Sequence, residues 1–232
     1  MAFHLNNKWS EERLERWLVR AEKHYGGFVK GVQRKKISPK DPRPHELLYK
    51  IGMQGGDRMM FHGYAKKYAE YLAPILQSRV LDDCPTMIVE VGILKGTGLA
   101  VWADLFPKCR LIGLDIDLNF IEENMGFLEK RGAFKNTKPE IYEFDQYLDN
   151  FRYMGKILKR DRIDICIDDG THCTPANLTT FRSIKPYLSK QFVYIIEDNP
   201  NVYLEIRKLY PSLNVENSGE LTIITPNRKK LI

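Results

Sequence analysis

Two apolar runs in the second half of the chain are each followed by carboxylate side chains. Asp169 and His172 follow the run IDICI, and Glu197 and Asp198 follow the run FVYII. If both runs are parallel strands of one sheet, their ends face the same crevice, where three carboxylates repel one another unless a cation joins them. A hard divalent cation such as Mg²⁺ prefers oxygen ligands of this kind. The pattern therefore predicts a metal site formed by Asp169, Glu197 and Asp198, with His172 as the base that accepts a proton from a substrate hydroxyl.

A purely structural interpretation competes with this one. Asp168 or Asp169 could cap the helix that the sequence predicts from Thr174 onward, and the acids after the second run could be solvated loop residues. For any single acid, the structural interpretation is the better one. Their occurrence together, at two strand ends beside a nucleotide-type pocket, favours the metal site.

Residues 86–117 predict the element that places a cofactor beside these acids. A short apolar run ends in Glu90-Val91-Gly92, a cluster of glycines follows, and a helical pattern leads to a second apolar run that stops at Asp115. Glycine leaves room for a ligand beside the backbone, and an acid at the second strand tip can accept both hydroxyls of a ribose. This order of strand, glycine turn, helix, strand and acid is typical of a βαβ unit that holds a nucleotide-like ligand.

The spacing of Gly92, Gly96 and Gly98 is G-x-x-x-G-x-G, which differs from the G-x-G-x-x-G of dinucleotide-binding turns. Glu90 precedes the first glycine, where it would repel a phosphate but would suit a ligand that carries an amine or a sulfonium. The turn therefore favours S-adenosylmethionine (SAM) over NAD. The alternative is a structural βαβ turn whose glycines have no role in binding.

Beyond this unit, strand-like and helix-like segments alternate to the end of the chain. The predicted strands lie at residues 141–144, 163–167, 192–196 and 221–224, with helices between them. Such alternation predicts an α/β fold, a doubly wound and mostly parallel sheet with helices on both faces, and we expect the last strand to be an antiparallel edge strand. A helix that begins after Ser10 gives this fold a helical N-terminal extension.

Four motifs support a comparison with a known family. EVGILKGTGL, GLDID, IDDGTH and YIIEDN together resemble the metal-dependent sugar O-methyltransferases of macrolide biosynthesis, the mycinamicin type. The resemblance implies the class I SAM-methyltransferase fold, which is Rossmann-like, and a SAM-dependent, Mg²⁺-dependent transfer of a methyl group to a sugar hydroxyl. It also implies Mg²⁺ ligands at Asp169, Glu197 and Asp198, with His172 as base.

Two further motifs match the family in part. The family's G-D-Q corresponds to Phe144-Asp145-Gln146, and its T-D-K with a following histidine and tyrosine corresponds to Gly56-Asp57-Arg58 with His62 and Tyr64. In the second motif, arginine replaces lysine and glycine replaces threonine. The predicted catalytic residues are thus His172 and Asp169. The predicted cofactor-binding residues are Glu90, Gly92, Lys95, Gly96, Gly98, Asp115, Asp145, Gln146, Asp168, Asp57, His62 and Tyr64.

The sequence predicts a division into an N-terminal helix with a basic linker at residues 1–45 and a methyltransferase domain at residues 46–232. The segment at residues 26–45 is rich in Gly, Pro, Lys and Arg, which is typical of a mobile connection. A solvated linker is the default interpretation, and a basic lid that docks a substrate is the alternative.

The composition is that of an ordinary soluble globular protein, with 43% hydrophobic and 28% charged residues among 232. We expect a cytoplasmic protein with no membrane partner, because no apolar run approaches the roughly 20 residues that span a bilayer and the N-terminus resembles no signal peptide. The net charge of +6 is scattered, which predicts no nucleic-acid partner. The four cysteines form no C-x-x-C pair and are expected to be reduced thiols. The expected partner is a sugar-containing acceptor, and a homodimer is an assembly that the sequence leaves open.

Three other functions stay open. A catechol-like phenol O-methyltransferase would also use Mg²⁺ and would need a flat apolar slot for its acceptor. A cephalosporin-hydroxylase-like relative of the same fold would carry iron. A binding module that keeps SAM without transferring its methyl group would have no need of the carboxylates or of His172.

Overall fold

The structure, a computed structural model, describes residues 9–26, 57–82 and 85–227. Within these residues it contains one seven-stranded sheet with helices on both faces. The strands are β1 (Met87–Val91), β2 (Arg110–Asp115), β3 (Glu140–Glu143), β4 (Ile163–Asp168), β5 (Leu188–Ile196), β6 (Leu213–Ser218) and β7 (Leu221–Pro226). The helices are α1 (Glu11–Tyr25), α2 (Ala65–Asp82), α3 (Thr97–Leu105), α4 (Asn119–Lys130), α5 (Phe151–Leu158), α6 (Thr174–Ile184) and α7 (Val202–Leu209), with a 3₁₀ turn at Lys185–Tyr187. Among the helices described, none combines the length and the apolar character that crossing a membrane requires.

The sheet has the strand order β3-β2-β1-β4-β5-β7-β6. Strands β1 to β5 are parallel to one another, and β7 runs antiparallel to both β5 and β6. The winding direction reverses between β1 and β4, and ligands of such sheets bind outside the carboxyl ends of the strands at this reversal. Val91 at the end of β1 lies in register with Leu114 of β2 and with Asp168 of β4.

Alternation of side chains along the strands divides the core into two layers. Ile88, Ile165 and Ile195 pack with the helices α1 to α4 on one face of the sheet. Val89 and Cys166 belong to the other layer, with α5, α6 and α7. Both faces of the sheet are covered, which explains why its central strands are apolar on both sides. The predicted α/β, doubly wound, mostly parallel fold is confirmed.

Helix α1 is the predicted N-terminal extension, and it is part of the core. The Ser10 hydroxyl accepts a hydrogen bond from the Arg13 N–H at 3.2 Å, as expected of a helix N-cap. Leu14, Leu18 and Ala21 are buried in the layer that α1 shares with α2, α3 and α4. The extension is therefore bound to the sheet domain through an apolar face.

The last strand differs from its prediction in one respect. β7 is antiparallel, as expected, but it lies one position inside the sheet, because β6 pairs with its outer side and forms the edge. The sequence LNVENS of β6 gave no strand signal, since Val215 is its one fully buried side chain. A polar edge strand of this kind has no apolar run by which it could be recognised.

The tips of β1 and β4 approach each other most closely at Gly92. Its φ is 82°, and a Cβ at this position would overlap the carbonyl group of Asp169. The Gly92 N–H donates to the Leu114 carbonyl at 2.8 Å, and the Asp169 N–H donates to the Val91 carbonyl at 2.8 Å. The glycine turn after β1 and the acids after β4 are therefore direct neighbours.

Some sequence predictions fall outside the described residues. Beyond Gly26, the predicted linker or lid lies outside the described residues, so its role and the domain boundary at residue 45 stay predictions. Gly56 and Cys84 also lie outside them. Of the other cysteines, Cys109 and Cys166 are buried free thiols, and Cys173 is a partly buried one.

Candidate active site

A buried arginine, Arg58, lies at the centre of the crevice outside β1, β4 and β5 and is only 7% exposed. Its Nη2 donates to Glu90 Oε1 at 2.7 Å and to Asp169 Oδ2 at 2.8 Å. Its Nε lies 2.6 and 2.9 Å from the two carboxylate oxygens of Glu197. One guanidinium thus joins carboxylates from three neighbouring strand ends, which its planar set of donors permits and a single ammonium group would not.

Two aromatic side chains hold this guanidinium in place. The rings of Tyr68 in α2 and Trp102 in α3 are stacked with centroids 5.4 Å apart, and Arg58 Cζ lies 5.9 and 5.5 Å from them. Trp102 Nε1 donates to Glu90 at 3.0 Å, and the Tyr68 hydroxyl donates to Glu197. Burial lowers the pKa of Arg58, but the surrounding carboxylates outweigh burial and raise that pKa well above its ordinary value. Arg58 is therefore a permanent cation in the crevice.

A pocket opens beside Arg58, bounded by the glycine turn after β1. Gly98 has a packing reason of its own, because a Cβ there would overlap the Glu90 carboxylate and Arg58. Carboxylates outnumber cations in the lining, with Glu22, Asp57, Glu90 and Asp169 against Arg58 and Lys95. Six residues predicted from the sequence as site residues line the pocket, namely Asp57, Glu90, Gly92, Lys95, Gly98 and Asp169.

Other predicted cofactor residues shape the adjoining loops. Asp115 Oδ2 accepts from the Leu94 N–H at 2.8 Å, which ties the tip of β2 to the glycine turn. Asp145 Oδ1 accepts from the Tyr147 N–H at 2.9 Å after β3. Gly96 has a φ of 75° and is the N-cap of α3. The binding roles predicted for these three residues stay predictions.

Gln146 and Asp168, predicted to bind the cofactor, are buried and are not among the residues that line the pocket. Gln146 Nε2 donates to Asp168 Oδ1 at 2.6 Å, and its Oε1 accepts from the Thr171 N–H at 2.8 Å. Asp168 also accepts from Asn177 Nδ2 at 3.1 Å. Both side chains hydrogen-bond within the protein, where they hold the turn that carries Asp169 and His172, and their predicted role in cofactor binding stays a prediction.

A group of possible metal ligands lies next to the pocket. It is formed by Asp169, His172 and Asp198. One nitrogen or oxygen of each lies within 4.8 Å of the others. Both His172 and Asp198 have left-handed backbone conformations, with φ of 54° and 53°. Non-glycine residues adopt this conformation at a cost, and such residues concentrate at functional sites. This group contains three of the four residues that the sequence predicted for metal and proton chemistry.

Glu197, predicted as the third metal ligand, is absent from this group. Its carboxylate is buried and bonded to Arg58 and Tyr68 instead. Glu197 and Asp198 are neighbours in sequence, but successive side chains at a strand end point to opposite sides. The structure therefore separates the pair, with Glu197 on the Arg58 side and Asp198 on the outer side.

His62 and Tyr64, predicted to bind the cofactor, lie on that outer side. Neither lines the pocket beside the glycine turn. Their partners are Asp198 and Glu220, and the atoms of His62, Asp198 and Glu220 form a second group within 4.8 Å. The sequence missed Glu220 because it follows the unpredicted strand β6.

Burial and the nearby Glu197 carboxylate raise the pKa of Asp169 well above its ordinary value, against the opposing charge of Arg58. The ionised form of Asp169 is therefore disfavoured in this environment. A cation that entered beside Asp169 would favour that form, since an opposite charge within reach stabilises the ionised acid.

Glu22 on α1 is a further site residue that the sequence analysis did not identify. It is 3% exposed, lines the pocket, and accepts from the Met59 N–H at 2.9 and 3.0 Å and from the Met60 N–H at 3.1 Å. It thereby fixes the segment that carries Arg58. A signal was present, because Glu22 lies four positions after the buried Leu18 and hence on the apolar face of the helix.

Comparisons with curated proteins find sugar O-methyltransferases. The chain is 23% identical over 165 residues to the 8-demethyl-8-(2-methoxy-alpha-L-rhamnosyl)-tetracenomycin-C 3'-O-methyltransferase of Streptomyces olivaceus, a match that covers 67% of this chain and 37% of the relative. It is 26% identical over 125 residues to the mycinamicin VI 2''-O-methyltransferase of Micromonospora griseorubida, covering 50% and 28%. The chain thus spans about a third of the length of these relatives. No protein-family model matches it.

Comparisons with solved structures give the fold. The MycE methyltransferase in complex with Mg, SAH and mycinamycin VI superposes with a TM-score of 0.58 at 17% identity, over 92% of this chain and 54% of that one. A putative O-methyltransferase from Klebsiella pneumoniae gives a TM-score of 0.53 at 14% identity, over 96% and 92%. The fold is that of the class I SAM-dependent methyltransferases. The predicted resemblance to the sugar O-methyltransferases is confirmed as well.

Replacing Arg58 by glutamine tests how far this methyltransferase fold depends on one cation. The variant leaves Glu90 and Glu197 buried without their guanidinium, which we expect to lower the free energy of unfolding by about 3–5 kcal/mol, as measured by urea denaturation at pH 7. Arg110→Gln is the matched control, because Arg110 also donates to two carboxylates but its side chain is 26% exposed. The free energy of unfolding of Arg110→Gln should fall by less than about 1 kcal/mol. Equal losses in the two variants would contradict the central role of Arg58.

Glu22 predicts a pH dependence of stability. Burial raises the pKa of Glu22 from 4.5 to about 7, against the hydrogen bonds from Met59 and Met60. Because the folded state then binds the proton more tightly than the unfolded state, the stability that Glu22 contributes falls as the pH rises from about 4.5 to about 7. The stability of Glu22→Gln relative to wild type should therefore increase across this window and level off above it. Urea midpoints measured from pH 4 to 8 check this, and a difference that does not vary with pH would show that the pKa of Glu22 is not raised.

Proposed function

We propose that this protein is a SAM-dependent, Mg²⁺-dependent O-methyltransferase that acts on a hydroxyl group of a sugar. The observation that carries the proposal is the position of Asp169. It lines the pocket beside the glycine turn and also belongs to the group with His172 and Asp198. A methyl donor in the pocket and an acceptor oxygen at the group would therefore be neighbours, which is the arrangement that a direct transfer needs.

The chemistry of the pocket lining fits SAM. SAM supplies a methyl group on a positively charged sulfonium and also carries an amino group. The lining has more carboxylates than cations, and Glu90 and Asp57 are among them. Asp115 and Asp145 follow β2 and β3, the next strands on the side where such sheets bind the nucleoside of a ligand. We assign the ribose hydroxyls to Asp115 and the adenine end to Asp145.

The donor set at the second part of the crevice fits a divalent cation. Asp169 and Asp198 offer carboxylate oxygens, and His172 offers an imidazole nitrogen within the same 4.8 Å. A cation held there would lower the pKa of an acceptor hydroxyl. We assign Asp169 and Asp198 to the cation. We assign Glu197 as the ion-pair partner of Arg58, because its carboxylate is hydrogen-bonded to the Arg58 guanidinium.

We assign His172 as the base that accepts the proton of the acceptor hydroxyl. Its backbone is held on the turn between β4 and α6, which the buried pair Gln146 and Asp168 fixes. A histidine is suited to this task because its ordinary pKa lies near neutral pH. A proton held on His172 would leave the acceptor oxygen as the nucleophile for the methyl carbon of SAM, and the sulfur would keep the electron pair of the methyl–sulfur bond.

The sugar as acceptor rests on the relatives. Their names specify O-methylation of rhamnosyl groups and of mycinamicin VI, and the MycE structure contains mycinamycin VI. The open outer side of the crevice supports a polar acceptor, since His62, Asp198 and the exposed Glu220 border it. A flat apolar slot, which a catechol would need, is not what these side chains form.

The first test is methyl transfer from labelled SAM to a panel of free sugars, glycosides and catechols, with and without EDTA. We expect transfer to a glycoside, and we expect EDTA to abolish it because Asp169 and Asp198 would lose their cation. Activity should return when Mg²⁺ is added in excess. Transfer that EDTA leaves unchanged would contradict the metal assignment. Transfer to catechols alone would contradict the assignment of a sugar as the methyl acceptor.

Replacing His172 by alanine tests its role as base. We expect the rate of methyl transfer to fall by roughly 10²–10⁴, the usual contribution of a general base. SAM affinity, measured by calorimetry, should be nearly unchanged because His172 does not line the pocket. His24→Ala on α1 is the control and should keep wild-type turnover. Unchanged turnover in His172→Ala would remove it from the mechanism, and loss of Mg²⁺ binding in that variant would assign it to the metal instead.

A further inference from the structure

A second group of possible metal ligands lies next to the one used above. His62 Nδ1 is 3.5 Å from Asp198 Oδ1 and 3.6 Å from Glu220 Oε2. These separations exceed the roughly 3.2 Å of a good N–H···O hydrogen bond. They match two ligands of one ion, since bonds of about 2.1 Å at tetrahedral angles place ligand atoms about 3.4 Å apart. The three ligands come from three segments: the turn before α2, the tip of β5 and the β6–β7 hairpin.

The neighbours of this group are those that orient metal ligands. The Tyr64 hydroxyl donates to Asp198 Oδ1 at 2.5 Å and lies 3.4 Å from Glu220 Oε2. The other ring nitrogen of His62, Nε2, faces Asp57 Oδ2 at 4.0 Å. That separation is too long for a hydrogen bond, but ligating carboxylates are typically hydrogen-bonded, as Asp198 is to Tyr64. The Tyr64 ring also stacks on the His62 ring, with centroids 5.2 Å apart, which fixes the imidazole plane.

The charge balance of this group is incomplete. Arg58 donates to Glu90, Asp169 and Glu197. Within the part of the chain that the structure describes, no lysine or arginine forms an ion pair with Asp198 or Glu220. Two carboxylates that face each other repel unless a positive charge joins them. A divalent cation would supply that charge.

We propose that His62, Asp198 and Glu220 form a second divalent-cation site that shares Asp198 with the first. The imidazole donor favours a borderline ion such as Zn²⁺ over Mg²⁺, which prefers oxygen ligands alone, and Mn²⁺ serves as a paramagnetic probe of the site. Bound there, the ion joins the turn that carries Arg58 to the β6–β7 hairpin. Only the sharing of Asp198 rests on the proposed function, and the site itself does not.

The test counts the Mn²⁺ ions that the full chain binds after EDTA treatment and dialysis, by calorimetry. Wild type should bind two ions. Glu220→Gln should bind one, and so should Asp169→Asn, because each variant removes a ligand of a different site. Asp198→Asn should bind none. Glu205→Gln, an exposed carboxylate on α7, is the matched control and should bind two. Electron paramagnetic resonance adds a signature, because two Mn²⁺ ions that share a carboxylate couple magnetically and one ion does not.

The outcomes separate this proposal from the proposed function. One ion in wild type that Glu220→Gln leaves in place would overturn the second site and leave the first intact. One ion that Glu220→Gln removes and Asp169→Asn keeps would support the second site and reject the first. Binding that is equal in wild type and all three site variants would overturn both sites.

Discussion

The ion pairs of Arg58 are the interaction on which the rest of the site depends. Carboxylates at the ends of β1, β4 and β5 converge on one crevice, and a buried carboxylate is costly unless it is paired. Arg58 satisfies Glu90, Asp169 and Glu197 at once, and the rings of Tyr68 and Trp102 hold it between α2 and α3. Glu22 accepts the N–H groups of the two residues that follow Arg58. Helix α1 therefore positions the cation, and the N-terminal extension is a structural part of the crevice.

This single cation divides the crevice into two unlike halves. On the side of Glu90 and Glu197 the carboxylates share the Arg58 guanidinium, and packing is tight enough that a Cβ at Gly98 would not fit. On the side of Asp198 and Glu220 the described residues supply an imidazole and a phenol but no lysine or arginine. Asp169 lies between the halves. Both of the proposed metal sites use Asp198, which lies on the side of the crevice away from Arg58.

The sequence predicted the features that follow from strand order and missed those that follow from side-chain direction. The apolar runs and the glycine turn predicted β1, β4 and β5, and a cofactor pocket beside the acids at the strand ends. The same runs could not show that Gln146 and Asp168 point inward, because both follow strands that end at the correct edge. β6 escaped because an edge strand with Val215 as its one fully buried side chain has no apolar run, and Glu220 was missed with it. Glu22 could have been identified from helical periodicity alone, because an acid on the apolar face of α1 needs a hydrogen-bond or ion-pair partner.

The separation of Glu197 from Asp198 follows from the identity of residue 58. Adjacent residues at a strand end point to opposite sides, so a Glu-Asp pair reaches one ion only if one of the side chains is free to turn. A lysine at position 58 would offer an ammonium group, which is a point charge without the fixed fork that holds two carboxylates together. The guanidinium keeps Glu197 against Tyr68, and φ of 53° at Asp198 directs the following chain outward. A metal at Asp198 would then take further ligands from the outer side, where His62 and Glu220 lie. Arg58 and these outer ligands therefore belong to one arrangement. Because the guanidinium occupies the inner side of the crevice, a metal ion bound at Asp198 would take its other ligands from the outer side.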